Sequence, residues 1–400
     1  MKKFFMFAAM ASVAFVSCLK NDPTPKANPV GEKQIVFSSP VVGTPTKGAE
    51  INGTTFPVDT NFAVFAYYQQ GNGAYNYNDA TVELYMDEVK CSAKKDSEGK
   101  LPNVDGTEQD GKGAWFPADG SKYYWPKNGL LTFVAASPAE DDVEAACHYT
   151  IESTNRTLVL NYEAPYELAD TAKQVDLLYS DWKKDCSASK HETNITYDGV
   201  ELAFHHALCI VRINVKAEDD AAAAAVKVTG LSINNVYRKG TFTLLADDAT
   251  PVWSADAATN YVIVPFTEDA YLEQTTAAQL ADPTAGPVAK DDSRAITTTA
   301  ERQASYILIP QTFLGEANIT INYAIRHGNK WLNQVYVYPL SKDTSLEVAK
   351  GTGASNLTGW AKGTRYTYNI TLGVDEVYFA PSVSAWEDVE VNFDNEKQQY

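Results

Sequence analysis

Short apolar runs, each closed by turn residues, recur along most of the chain. Phe62-Ala63-Val64-Phe65-Ala66-Tyr67-Tyr68 ends at Gly71-Asn72-Gly73, and Leu130-Leu131-Thr132-Phe133-Val134-Ala135-Ala136 follows a turn at Asn128-Gly129. Leu158-Val159-Leu160 and Val175-Asp176-Leu177-Leu178-Tyr179 are of the same kind. Runs rich in β-branched and aromatic residues and bounded by Gly, Asn and Pro predict strands. After Val200 the alternation is clearer: Leu202, Phe204, His206, Leu208 and Ile210 share one phase. That phase slips at Cys209–Val211, which predicts a bulge or burial on both faces. Further strands are predicted at 226–236, 261–264, 306–309, 319–323, 336–338, 366–372 and 377–379. Helical signals are few. Asp219–Val226, with its Ala run, predicts one helical turn or a loop, and Gln274–Leu280 a short helix. Strands at this spacing predict an all-β protein of two tandem β-sandwich domains with few short helices.

Ahead of these strands the pattern changes. Lys2-Lys3 precede the apolar run Phe4–Val16, and Ser17-Cys18 closes it. The run is too short for a membrane span, which needs about 20 residues. It predicts a lipoprotein signal peptide over 1–18, with lipid on Cys18, and a polar linker over 19–34. The extended apolar segment that follows runs to Val42 and puts Ile35, Phe37 and Val41 on one face. Pro40 interrupts it, which predicts an edge strand and not a central one. Thr44-Pro45-Thr46-Lys47-Gly48 then reads as an exposed turn.

Length and charge narrow the picture further. Four hundred residues suit two domains, each able to bury its own core. With 51 acidic against 33 basic residues the formal charge is −18, which disfavours nucleic acid as a partner. Beyond Cys18, the cysteines Cys91, Cys147, Cys186 and Cys209 allow three pairings, and none shows CxxC spacing. Cys209 lies within an apolar strand, which predicts a buried free thiol. His205-His206 invites a metal-site reading, but adjacent residues of a strand point to opposite faces. One is predicted in the core with a hydrogen bond and the other toward solvent. No nucleophile elbow, HExxH helix or phosphate-binding loop occurs, so no enzyme, metal or cofactor is predicted. Aromatics at Tyr67-Tyr68, Tyr75, Tyr77 and Tyr123-Tyr124-Trp125 suit core filling or stacking on sugar rings.

Several blocks taken together resemble a known family. They are Tyr123-Tyr124-Trp125-Pro126 with Leu131–Pro138, then Asp176-Leu177-Leu178-Tyr179. Phe204-His205-His206-Ala207-Leu208 running into Arg212–Val215 follows, and Ile307-Leu308-Ile309-Pro310-Gln311 after it. The last are Trp360–Tyr368 and Val377–Trp386. In this order and spacing the chain resembles the fimbrillins of the Bacteroidetes, subunits of type V pili, in the Mfa-like branch. The resemblance implies two transthyretin-like (Greek-key) sandwiches, here 48–198 and 199–400. It implies a precursor anchored to the outer membrane by lipid and cut by an Arg/Lys-specific protease, which releases a first strand over 35–47. Other pilin subunits would then fill the groove, by strand exchange, in an extracellular pilus that supports adhesion or biofilm formation. Lys47, with Gly48 after it, is the candidate cut site, because a cut at Lys26 or Lys33 would precede the strand and free nothing. Val377, Phe379, Val383 and Trp386 are candidates for the donated strand or for ordinary closing strands. The alternative is a monomeric cell-surface glycan-binding lipoprotein or tip adhesin, with surface glycans or proteins as its targets.

Overall fold

The computed structural model describes residues 34–42, 56–94, 115–139, 148–164, 174–188, 199–263, 302–341 and 357–385, except 39, 57–59, 72, 77, 80, 155, 247–249, 257–259, 329 and 375–376. In chain order the strands begin with β1 (Val41–Val42), β2 (Asn61–Gln69), β3 (Glu83–Ala93), β4 (Trp115–Pro117), β5 (Leu130–Ser137), β6 (His148–Thr154) and β7 (Thr157–Glu163). Next come β8 (Leu178–Ser180), β9 (Lys183–Cys186), β10 (Ala203–His206), β11 (Cys209–Ala217), β12 (Val226–Tyr237), β13 (Lys239–Leu245), β14 (Val252–Ala255) and β15 (Asn260–Ile263). The remainder are β16 (Arg302–Leu308), β17 (Gln311–Thr312), β18 (Asn318–His327), β19 (Lys330–Pro339), β20 (Gly359–Trp360), β21 (Thr364–Leu372) and β22 (Val377–Ala385). The Ala run forms the one short helix among them, α1 (Asp220–Ala225). The Asp219 side chain caps it by accepting from the Ala222 amide at 2.7 Å. Gln274–Leu280 lies outside the described residues. No described helix is long and apolar enough to cross a membrane.

The architecture is all-β and sandwich-like. The first sheet has the order β1-β10-β8-β5-β2-β3-β4, with β9 on β5. Three four-stranded sheets follow, β16-β11-β21-β22, β15-β12-β18-β19 and β14-β13-β7-β6, with a small β17-β20 pair. Sheets therefore draw strands from both sides of Gly199: β10 joins the first, and β7 pairs with β13 along its whole length.

Both faces of the first sheet are covered, so β2 and β5 are buried almost throughout. One face carries Phe62, Val64, Phe133 and Phe204 into an inner core; the other sends Phe65, Tyr67, Val134 and Tyr179 into the larger core shared with the remaining sheets. The phase slip read at Cys209–Val211 is burial on both faces, all three residues being fully buried. The chain leaves the first sheet at Ala207-Leu208 and enters the next at Cys209, so one apolar run serves two sheets.

Candidate functional site: the slot of the first strand

The inner core is lined by the first sheet and closed by residues 34–42. The Ile35 amide donates to the Tyr123 carbonyl at 2.7 Å, while Phe37 and Trp115 exchange two backbone bonds at 3.0 and 3.2 Å. On the opposite side the Val200 amide donates to the Val36 carbonyl at 2.8 Å, and the Ser38 amide donates to the Val200 carbonyl at 3.1 Å. Further on, Val41 and Val42 run parallel to Ala203 and Phe204. The ribbon thus joins β4 at one end of the sheet to the approach to β10 at the other, and the sheet closes on itself.

Ile35 and Phe37 fill the interior. Ile35, Val36 and Phe37 are buried. The Phe37 ring meets Phe62 and Phe133 edge-on, with centroids 5.8 and 5.9 Å apart. Phe56, nine residues after Lys47 in the sequence, enters the same core against Phe62, Trp115 and Phe204, and its amide donates to the Pro40 carbonyl at 3.1 Å.

Gly199 is shaped for this passage. Its φ is +75°, a conformation that disfavours side chains, and a Cβ there would lie 2.6 Å from the Ser38 nitrogen and 2.7 Å from the Phe37 carbonyl carbon. Sequence reading gave Gly199, Trp115 and Phe56 no role. The available signals were a glycine directly before an apolar strand and a Trp-Phe-Pro run, each too common to single out.

One expectation is corrected. Pro40 suggested an edge strand, yet Phe37 has a neighbour on each side, antiparallel at Trp115 and parallel at Val200. The reason is position. Pro40 lies beyond the doubly bonded stretch 34–38, and what it supplies is a carbonyl acceptor to Phe56, so its missing N–H interrupts no pairing there.

The other candidate residues fall as follows. On β22, Val377, Phe379 and Val383 stand opposite Leu372, Ile370 and Tyr366 of β21, and β22 ends its sheet. Cys18, Lys47, Gly48, Cys147 and Trp386 lie outside the described residues. Cys91, Cys186 and Cys209 are buried, Cys91 and Cys209 as free thiols that burial pushes well above their ordinary range. His206 is buried with its ring nitrogen 3.0 Å from Asp176, while His205 pairs with Asp181 at 2.9 Å at the surface. The two rings diverge as strand geometry requires, and no group of three potential metal ligands occurs among the described residues. Of the aromatic clusters, Tyr67, Tyr68, Tyr123 and Trp125 serve packing. Tyr67 lies against Trp182, Tyr68 donates to the Asn128 carbonyl at 3.0 Å, and Tyr123 and Trp125 pack on the inner core.

The model of a family described as fimbrillin-like matches residues 49–386 of this chain. Among solved structures, a fimbrial protein from Bacteroides vulgatus superposes with a TM-score of 0.55 at 16% identity, over 88% of this chain and 100% of that one. Cell-adhesion candidates from Bacteroides uniformis and Bacteroides ovatus give TM-scores of 0.46 and 0.45 at 15% and 13% identity, over 90% of this chain and 100% and 99% of theirs. A search of curated proteins finds no match.

Proposed function

Since the chain belongs to the fimbrillin-like family, and is therefore a structural fimbrial protein and not an enzyme, we propose that it is the precursor of a polymerising pilin. In this reading it is exported as a lipoprotein anchored to the outer membrane through Cys18. An Arg/Lys-specific protease cuts between Lys47 and Gly48, and the subunit then assembles by strand exchange into an extracellular pilus that supports adhesion or biofilm formation. The supporting observation is the ribbon 34–42, hydrogen-bonded on one side to Trp115 and Tyr123 and on the other to Val200.

Magnitudes favour refilling of the slot. Burial of Ile35, Val36 and Phe37 is worth roughly 5–9 kcal/mol at about 1.5–3 per side chain, and each backbone bond adds about 0.5–1.5. Domains are stable by only about 5–15 kcal/mol. A mature subunit with an empty slot would expose an apolar strip flanked by two unpaired strand edges, which is a template for β-augmentation. A cut at Lys47 removes the ribbon and retains Phe56 as part of the slot wall. The closing segment with Val377, Phe379, Val383 and Trp386 is the donor in this reading.

Limited digestion of the full chain with trypsin tests the proposal. One early cut at Lys47 should yield a ladder of multimers stable in detergent. A product trimmed at Lys47 that stays monomeric would overturn self-polymerisation in favour of a tip subunit or a monomeric glycan binder.

A further inference from the structure

We propose that β19 is a docking edge for a second copy of this chain. The copy lays its own β19 antiparallel against it, about a two-fold axis at Val335, and two four-stranded sheets become one of eight strands. This edge is separate from the slot, so the inference stands independently of strand exchange.

The treatment of the sheet edges is the first observation. An open edge invites pairing with another chain, and proteins blunt it by brevity, charge, proline or cover. Among the described residues the first sheet is closed by the ribbon 34–42. β14 and β15 are four residues long. β22 has Pro381 in its middle, and β6 exposes Glu152. β16 is covered: the Ile307 amide donates to Gln174 Oε1 at 2.6 Å, and the Ile307 carbonyl accepts from the Tyr162 hydroxyl at 3.3 Å. β19 carries none of these devices along its length. It runs ten residues, ends its sheet, and keeps register with β18 throughout without a bulge. Its lysine and its proline, Lys330 and Pro339, stand at its two termini.

The second observation is exposure on both faces. Leu332, Asn333, Gln334 and Val335 are exposed in succession. Successive residues of a strand point to opposite faces, so solvent reaches the strand from either side there. The apolar residues Leu332, Val335 and Val337 are 44%, 64% and 51% exposed. Val335 and Val337 stand beside Asn322 and Thr320 of β18, on the face turned away from the buried Ile319 and Ile321. Exposed β-branched residues on a straight edge suit strand pairing.

Symmetry and charge select a second copy as the occupant. An antiparallel pair across a two-fold axis is self-complementary. An axis at Val335, the most exposed of the three and next to the strand's middle, pairs the whole of 331–339 with the second copy. Val335 then stands opposite itself, Asn333 opposite Val337, and Trp331 opposite Pro339, while Leu332 meets Tyr338 on the other face. Lys330 falls at opposite ends of the pair, the two lysines being about 34 Å apart along the strands. The chain carries a formal charge of −18, so copies repel one another. Neither β18 nor β19 contains Asp or Glu, so no carboxylate of these strands meets another across the axis.

Sedimentation equilibrium of the uncleaved full chain tests the assignment, since its slot is filled by its own ribbon. One strand against one strand is a small contact beside the about 1,600 Å² of a stable interface, so the dimer is read at high protein concentration. Val335→Lys should weaken dimerisation about tenfold, because the new charge stands opposite itself, and Val335→Glu should do the same. An equimolar mixture of the two variants should restore the dimer. Val252→Lys on β14, at a residue 61% exposed, should leave it unchanged. Thermal unfolding verifies that each variant is folded. A parent that stays monomeric overturns the proposal, as does a Val335→Lys variant that dimerises like the parent. An equal loss in Val252→Lys would reduce the effect to charge alone and overturn it too. Loss in both Val335 variants without recovery on mixing overturns the two-fold pairing in favour of a different partner for this edge.

Discussion

Phe37→Ala isolates the contribution of the ribbon's central side chain. The ring is fully buried and meets Phe62 and Phe133 edge-on. Removing it leaves a void in a core whose other walls are strands hydrogen-bonded to one another, so little collapse can compensate. Phe→Ala changes of this kind cost about 3–5 kcal/mol, part of which is the edge-on ring contacts at about 0.5–1.5 each. For a unit of 150–250 residues that corresponds to a fall of roughly 6–20 °C in Tm. Trp115 is a built-in reporter: it is buried, its ring centre lies 5.3 Å from that of Phe62, and its backbone is bonded to Phe37. Urea titration of the uncleaved chain, followed by tryptophan emission, should therefore show the early transition shifted to lower urea. Phe37→Leu should recover much of the loss. A ribbon weakened by 3 kcal/mol should also yield the slot about two orders of magnitude more readily, at 1.4 kcal/mol per tenfold, so tryptic multimer ladders should appear sooner. A Phe37→Ala precursor within 1 kcal/mol of the parent would refute the view that the ribbon closes this core.

Gly199→Ala should destabilise the precursor by about 1–3 kcal/mol or more, since it combines a disfavoured positive φ with a collision against the Ser38 and Phe37 backbone; thermal unfolding checks this, and an unchanged Tm would mean that the ribbon does not pass there. Asp176→Ala should cost about 1–3 kcal/mol by removing the buried carboxyl group 3.0 Å from the His206 ring nitrogen, read as a fall in Tm. Burial pushes the Tyr179 phenol up to about 12, with Asp181 adding to the shift. The folded state therefore keeps that proton above pH 10 while the unfolded chain releases it. The Tyr179 contribution is complete below pH 10 and is lost as pH rises toward 12, so Tyr179→Phe should flatten part of the alkaline fall in stability measured by urea titration at successive pH values.

Period two was legible along strands with one buried face, such as β7 and β18. Leu158, Leu160 and Tyr162 alternate with half-buried partners along β7, and Ile319 and Ile321 do so along β18. Period two then reports burial directly. It failed on β3, where Met86, Val89 and Cys91 are the buried positions, because Glu88 takes a positive φ and shifts the phase. That irregularity has no mark in the residue types. The short β4 and β14 were equally silent, being only three and four residues long.

The functional slot divides the same way. That residues 35–42 form an apolar ribbon follows from side-chain chemistry alone, as does the divergence of His205 and His206. Which strands the ribbon joins does not, because Trp115 and Val200 are distant in sequence and a backbone hydrogen bond carries no residue code. Nor does the sequence announce that β12, β18 and β19 lie side by side in one sheet, since β12 and β18 are far apart along the chain and meet only through pairing register. Local pattern determined the strands and their inner faces. Long-range pairing, set by the closing of apolar cores, decided that a nine-residue ribbon completes the first sheet and that Gly199 must be glycine.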